Sequence, residues 1–205
     1  MSSKNFSKLK NMVYSYLGYK KINLDNSLDS LIDECLSEIE KISSFKYLYQ
    51  EYDYILDFLN KEPYLSYLGN KPYIISCMTL GIQIDLRIKY YEKIDLTKMM
   101  VFDAASSAYL EYLSDEFERN LNLNLGFRFC PGYGGSDVSD IRYIHKLLKA
   151  DKYGITLLDS NLMIPQKSMI GIVGINNKEK KSCNNCYLEE KCKYKKEGLT
   201  CYLIK

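Results

Sequence analysis

The amino-acid sequence predicts an α+β domain with a mixed or antiparallel central sheet flanked by helices. Helical and strand-like segments follow one another without the regular alternation that builds parallel sheets. The 205 residues suffice for one domain with a sizeable core, and the hydrophobic content of 46% and charged content of 26% are typical of a globular protein. We therefore expect one α+β domain over residues 1–175, followed by a short Cys/Lys-rich tail over residues 176–205.

The first part of the chain predicts two amphipathic helices. Apolar side chains recur every three or four residues over 6–17 and again over 27–42. Gly18 ends the first helix, and Asp25 or Asn26 is placed to cap the second. Each helix is therefore expected to have an apolar face.

The middle of the chain predicts two strands and two further helices. The tyrosine-rich run 45–56 is partly alternating, which favours a strand or an extended edge, and the apolar run 72–81 predicts a buried strand. Helical patterns return over 82–92 and 95–121. The longer of these helices carries five small residues within 103–111, so other backbones can approach it closely. We expect it to lie at the centre of the domain.

The last part of the predicted domain contains short strands around a glycine-rich turn. The segment LGFRF (125–129) predicts a strand, and residues 138–149 predict a helix after the turn. Short strands are expected around 155–158 and 168–175. Because strands and helices mix irregularly, these strands favour the α+β class.

Charge and hydropathy limit the partners. The net charge of +2 provides no overall field that would favour nucleic acid or an anionic membrane, although the tail carries eight lysines and four glutamates. No apolar run of 18 residues occurs, and the first residues lack the hydrophobic region of a signal peptide. We therefore expect a cytoplasmic protein whose seven cysteines are thiols or metal ligands.

The segment CPGYGGSD is the most unusual stretch of the chain. Gly132, Gly134 and Gly135 can adopt positive φ and leave backbone N–H groups uncovered for a ligand. Arg128 leads into the turn with a planar fork that suits a carboxylate, and Tyr133 supplies an aromatic surface. Neither a phosphate-binding loop nor a dinucleotide fingerprint fits the spacing. From these residues alone, a purely structural turn between strand and helix remains the alternative.

The order of motifs resembles the activation (reactivation) domain of cobalamin-dependent methionine synthase, in a stand-alone form. That family has an R-x-x-P-G-Y turn, a leucine-bearing helix, a segment ending in T-E-S, a Met-x-Pro and an S-V-S-G-like strand. The resemblance covers roughly residues 5–175. The corresponding residues here are Arg128, Pro131, Gly132 and Tyr133, then Gly154 to Ser160, then Met163, Pro165, Ser168 and Gly171.

The resemblance implies that S-adenosylmethionine binds in a shallow groove. An arginine and a glutamate match the carboxylate and ammonium of the methionine part, and an aromatic face tolerates the sulfonium. The residues to which the family's binding roles carry over are Arg128, Cys130, Pro131, Gly132, Tyr133 and Glu111.

The chain departs from the family pattern at several positions. The third residue of the turn is Cys130, and the T-E-S acid is the shorter Asp159. The acidic contact that the family takes from an N-terminal extension has no recognisable counterpart. The paired tyrosines after the last core strand are replaced by lysines and cysteines. The adenosine end of the site is therefore not assigned.

The tail contains a second constellation, with the spacing C-x2-C-x5-C-x8-C. Four thiolates in this arrangement can bind zinc or an iron–sulfur cluster. Unpaired thiols or a redox pair remain the alternatives. The predicted metal ligands are Cys183, Cys186, Cys192 and Cys201.

The remaining histidine and cysteines are predicted to be structural. His145, the only histidine, falls on a position compatible with the exposed face of its helix, so we expect a surface residue. Cys35 and Cys77 fall on apolar faces and are expected in the core.

Three functions are compatible with these features. The resemblance implies an activation module that supports reductive methylation of a cobalamin-carrying methionine synthase or a related corrinoid protein. It would be a component of a methyltransferase rather than a complete enzyme, with flavodoxin or ferredoxin as candidate electron donors. No D-x-H-x-x-G cobalamin motif occurs, so the corrinoid must come from a partner. The alternatives are a metal-cluster redox protein that delivers electrons to a corrinoid protein, and a plain S-adenosylmethionine-binding protein.

Overall fold

The computed structural model of the chain describes residues 3–19, 26–69, 71–176 and 193–196. The helices are α1 (Ser3–Tyr16), α2 (Asn26–Ile42), α3 (Tyr64–Leu68), α4 (Ile82–Ile94), α5 (Leu96–Asn120), α6 (Ile141–Leu147) and α7 (Lys193–Lys196). The strands are β1 (Lys46–Tyr52), β2 (Tyr73–Thr79), β3 (Leu125–Phe129), β4 (Thr156–Leu157), β5 (Met163–Ile164) and β6 (Ser168–Ile175). Short 3-10 helices occur at Asp57–Leu59, Val138–Asp140 and Ala150–Tyr153.

Four strands form the main sheet in the order β1-β2-β6-β3, and every neighbouring pair is antiparallel. Strand β2 lies between β1 and β6, and all seven of its residues are buried. Strands β4 and β5 form a separate hairpin. With helices flanking this sheet, the predicted α+β class is confirmed.

Helices cover both faces of the sheet, and alternate residues of β2 point into two different cores. Met78 belongs to a core shared with α1, α2, α4 and α5. Ile75 and Cys77 belong to a core on the other face, formed with α3, α6 and the segment around Ile155. Because successive side chains of a strand face opposite sides, a strand covered on both faces is apolar throughout. This explains why the run 72–81 predicted a buried strand.

Helix α5 lies at the centre of the helical layer, as predicted. It packs against α1, α2 and α4, and its small residues Ala105, Ser106 and Ala108 are completely buried. Asp95 caps its start by accepting a hydrogen bond from the Lys98 N–H at 2.9 Å. Small side chains allow neighbouring helices to approach closely, so α5 holds α1 and α2 against the sheet.

Most predicted elements are present with small differences in their bounds. The helix expected over 138–149 is shorter: a 3-10 turn precedes α6, and α6 ends before Lys149, which adopts a φ of 51°. Helix α3 and strand β5 were not predicted. Both are too short, at five and two residues, to carry a periodic pattern.

The prediction for His145 is wrong, whereas those for Cys35 and Cys77 are confirmed. His145 is only 6% exposed, and its ring Nε2 lies 2.7 Å from the carbonyl oxygen of Ile155. The chain after α6 folds back over this helix, so a face that periodicity left outward becomes covered. Both cysteines are fully buried.

A metal site in the tail and the absence of a membrane-spanning segment were two of the sequence predictions. The four tail cysteines lie outside the described residues. Within the described ranges, no group of three or more histidine, cysteine or acidic side chains is arranged to hold a metal ion. No helix in the same ranges has the length and apolarity needed to cross a membrane.

Candidate functional site

The glycine-rich turn follows edge strand β3 and leads into α6. Gly132, Gly134 and Gly135 have φ values of 91°, 58° and 84°, so all three use the positive φ that the sequence predicted. Other residues rarely adopt this conformation, and the turn therefore requires glycine at these points.

The turn is closed by hydrogen bonds within itself. The Gly132 N–H donates to Ser136 Oγ at 3.0 Å, and the Ser136 hydroxyl donates to the Tyr133 carbonyl at 2.7 Å. The Tyr133 N–H donates to the Cys130 carbonyl at 3.2 Å. The expectation of uncovered backbone amides is therefore wrong for Gly132 and Tyr133, because a serine and a carbonyl of the turn satisfy them. These bonds make the turn a defined platform.

The far end of the turn is anchored by a buried carboxylate. Asp140 is 1% exposed and accepts hydrogen bonds from the Tyr64 hydroxyl and the Lys61 ammonium, each at 2.9 Å. Burial raises the pKa of Tyr64, and the neighbouring Asp140 raises it further, so this phenol stays protonated and donates. The turn is thereby tied to the segment around α3.

The near end of the turn is held by Arg128 of β3. Its Nε donates to Glu118 Oε1 at 2.9 Å, and its Nη2 lies 2.9 Å from Glu118 Oε2 and 3.0 Å from Asp115 Oδ1. The hydroxyl of Tyr47 also donates to Glu118, at 2.6 Å. The Arg128 and Glu118 side chains are only 7% and 10% exposed, whereas Asp115 is 42% exposed. Edge strand β3 is thus attached to helix α5 by a largely buried ion pair.

Gly171 of β6 provides the space in which Arg128 lies. A Cβ added to Gly171 would lie 2.3 Å from Arg128 Cγ and 2.6 Å from Cδ. No real side chain tolerates such a contact, so the aliphatic part of Arg128 lies directly over this glycine. Two residues that the resemblance singled out separately are therefore packed against each other.

Glu111 lies one helical turn from Asp115 on α5, and it receives a hydrogen bond from α1. The Tyr16 hydroxyl donates to Glu111 Oε2 at 3.0 Å. The Tyr16 side chain is 52% exposed, but the protein desolvates its hydroxyl, which raises the pKa of Tyr16; Glu111 raises it further, followed by Tyr133 and Cys130. Glu111, Cys130 and Tyr133 are thus all near the end of α1.

The structure groups only some of the predicted site residues. Glu111 accepts a hydrogen bond from Tyr16, and Tyr133 and Cys130 are close enough to raise the pKa of the same hydroxyl. Tyr133 is 64% exposed. Arg128 points to α5, while Pro131 and Gly132 contribute backbone to the turn. Tyr16 was not predicted as a site residue, because its spacing placed it among the apolar residues of the helix over 6–17 and no local motif distinguishes it.

The segment corresponding to T-E-S forms the loop of the β4–β5 hairpin. The Leu158 N–H donates to the Leu162 carbonyl at 2.9 Å, and the Asp159 carbonyl accepts a hydrogen bond from Arg142 of α6. Further along, the Ser168 hydroxyl donates to the Pro165 carbonyl at 2.6 Å. These contacts attach the hairpin to α6 and to the start of β6.

Comparison with known proteins finds similarity to solved structures but to no family model. No protein-family model matches the chain, and no curated protein matches it significantly. One of these solved structures is described as "Crystal Structure of the MetH Reactivation Domain bound to AdoHcy". It matches with 20% sequence identity and a TM-score of 0.41, over 63% of this chain and 48% of that one. The match thus spans about half of that chain.

Proposed function

We propose that this chain binds S-adenosylmethionine where α1, α5 and the turn after β3 meet, and supports reductive methylation of a corrinoid held by a partner protein. The main support is the Tyr16–Glu111 hydrogen bond at 3.0 Å, together with Cys130 and Tyr133 of the turn, which are close enough to raise the pKa of Tyr16. The resemblance assigned Glu111, Cys130 and Tyr133 to one ligand, and they come from separate elements of the fold.

The chemistry of these side chains fits the ligand. Glu111 offers a carboxylate for the ammonium of the methionine part, and charge-assisted hydrogen bonds of this kind are short and strong. The exposed ring of Tyr133 offers a face for the adjacent sulfonium. The glycines of the turn lack side chains that would keep the nucleoside away from the backbone.

Arg128 supports binding through the position of the turn. Its bonds to Glu118 and Asp115 set the end of β3, two residues before Cys130. The resemblance also assigns the ligand carboxylate to this arginine. Asp115 is the more exposed of its two partners, so it is the one that a ligand carboxylate can replace. Arg128 would then position the turn and bind the ligand carboxylate while it stays bonded to Glu118.

The open position of this site suits transfer of a methyl group to a second protein. The Tyr16 and Tyr133 side chains are 52% and 64% exposed. A partner that covers them would exclude water from the reacting methyl group. S-adenosylmethionine supplies the methyl cation, and an external reductant supplies the electron that the cobalt(II) corrinoid needs first. We propose that residues 1–175 form this module and that 176–205 is an appendage to it.

Replacing Glu111 by glutamine is expected to weaken S-adenosylmethionine binding by roughly 1.5–3 kcal/mol, about ten- to hundredfold in the dissociation constant, because the charged partner of the ammonium is lost. Titration calorimetry on the full chain measures this change. The control is Glu92→Gln, which removes an exposed carboxylate from α4 and should leave the dissociation constant unchanged. Equal affinity of the Glu111 variant and the unmodified protein would remove Glu111 from the site.

Reactivation in trans is the test of the proposed activity. The full chain is mixed with a cobalt(II) corrinoid protein, a low-potential reductant and S-adenosylmethionine, and the methylcobalamin spectrum is followed. One electron and one methyl cation enter each corrinoid, and S-adenosylhomocysteine is released. We expect methylation to require this protein, because it is proposed to hold the methyl donor. Equal rates without it, for every candidate corrinoid partner, would contradict the proposed function.

A further inference from the structure

The end of helix α1 is held in a fixed position against α5. Val13 and Tyr14 of α1 are buried in the helical core. The helix ends in a cap at Gly18, which has a φ of 85°. The Tyr19 N–H donates to the Tyr14 carbonyl at 3.0 Å, which completes this cap. Tyr16 is therefore presented at the α1–α5 junction by packed and hydrogen-bonded neighbours.

Tyr16 combines an engaged hydroxyl with an accessible ring. Its hydroxyl donates to Glu111 Oε2 at 3.0 Å, yet 52% of its side chain is exposed. Tyr14, two residues earlier, is 1% exposed and belongs to the core. The Tyr16 ring thus leaves an aromatic surface open beside the carboxylate that is proposed to take the ligand's ammonium.

A second exposed aromatic ring lies on the glycine-rich turn. Arg128 is bonded to Asp115, which is one helical turn along α5 from Glu111. The glycine-rich turn begins two residues after Arg128 and carries Tyr133, whose ring is 64% exposed. Tyr133 is also close enough to Tyr16 to raise the pKa of its hydroxyl. The Tyr16 ring, whose hydroxyl binds Glu111, and the Tyr133 ring of the turn are therefore two exposed aromatic surfaces in the same part of the fold.

Building on the function proposed above, we propose that Tyr16 contacts the ligand and, with Tyr133, selects the positively charged sulfonium of S-adenosylmethionine over the neutral thioether of S-adenosylhomocysteine. The two molecules share their amino-acid and nucleoside ends, so Glu111 cannot distinguish them. Aromatic faces attract cations more strongly than they attract neutral sulfur. An activation module benefits from this preference, because the demethylated product then leaves in favour of a new methyl donor.

The test uses two substitutions of Tyr16 in the full chain. Tyr16→Leu removes the ring and is expected to reduce the preference for S-adenosylmethionine over S-adenosylhomocysteine by about three- to tenfold. Tyr16→Phe keeps the ring but removes the donor to Glu111. It should weaken the binding of both ligands equally and leave the ratio of their dissociation constants unchanged. Titration calorimetry gives both dissociation constants for each variant.

Two further variants make the result specific. Tyr90→Leu removes a tyrosine of similar exposure, 51%, from α4 and should not change the ratio. Tyr133→Leu removes the second ring without altering α1, and should reduce the ratio as Tyr16→Leu does. Thermal unfolding of every variant establishes that each is folded at the temperature of the titration.

The outcomes distinguish a failure of the proposed role of Tyr16 from a failure of the proposed function. If the unmodified protein binds S-adenosylmethionine and Tyr16→Leu leaves the ratio unchanged, the role of Tyr16 is overturned while the proposed binding function stands. A loss of preference in Tyr16→Phe equal to that in Tyr16→Leu would also overturn it, since the hydroxyl would then be responsible. If the unmodified protein binds neither ligand, the proposed function and the role of Tyr16 both fail.

Discussion

Replacement of Arg128 by alanine is expected to lower the free energy of unfolding by about 3–5 kcal/mol. Glu118 is only 10% exposed, and both Nε and Nη2 of Arg128 contact its carboxylate. Without the guanidinium, a carboxylate would remain largely buried, with the Tyr47 hydroxyl still donating to it. Removing one member of a buried ion pair is costly because the remaining charge loses its compensation. Urea denaturation followed by circular dichroism measures the change.

Asp115 provides the matched control for this prediction. It bonds the same guanidinium at 3.0 Å but is 42% exposed, so water can replace much of the interaction. Asp115→Asn should cost less than about 1 kcal/mol. Similar losses in the two variants would show that the buried Arg128–Glu118 pair has no special weight in the stability of the domain.

Gly171→Ala is expected to destabilise the domain by about 1–3 kcal/mol, the usual cost of overpacking a core. The new Cβ would lie 2.3 Å from Arg128 Cγ, so the arginine must leave its place across β6. Its bonds to Glu118 would then be strained or lost. Chemical denaturation of the purified variant measures the loss.

A double-mutant cycle identifies the cause of the Gly171 effect. In the Arg128→Ala background the side chain that meets the new Cβ is absent, so Gly171→Ala should cost much less than it does alone. Residues in direct contact show such non-additivity, whereas independent residues do not. Additive losses would mean that the glycine is required for a reason other than the arginine.

Much of the secondary structure could be predicted because it depends on local patterns. Burial on both faces makes β2 apolar throughout, and the run that contains it is bounded by proline and glycine. The small residues of α5 indicated a central helix, and Ala105 and Ala108 are indeed fully buried. The positive φ of Gly132 follows from the same kind of local chemistry. In each case the residues that cause the structure are neighbours in the chain.

The environment of single side chains could not be predicted in the same way. His145 occupies a helical position that spacing alone leaves outward, and it is buried because Ile155, ten residues later, returns over it. Tyr16 fits the apolar pattern of its helix, yet its ring is half exposed and its hydroxyl binds a carboxylate. Helical periodicity cannot reveal which distant segment covers a given position.

Local patterns in the sequence were enough to predict the α+β class, the order of the main elements and the positive φ values in the glycine-rich turn, because apolar periodicity, glycine and proline act over a few residues. The composition of the candidate site, in contrast, depends on tertiary contacts. The Tyr16–Glu111 hydrogen bond joins residues 95 positions apart, and Arg128 reaches its place only because Gly171 of another strand leaves room for it. Such pairings depend on how helices and strands pack together, and packing is a property of the whole chain rather than of any one segment.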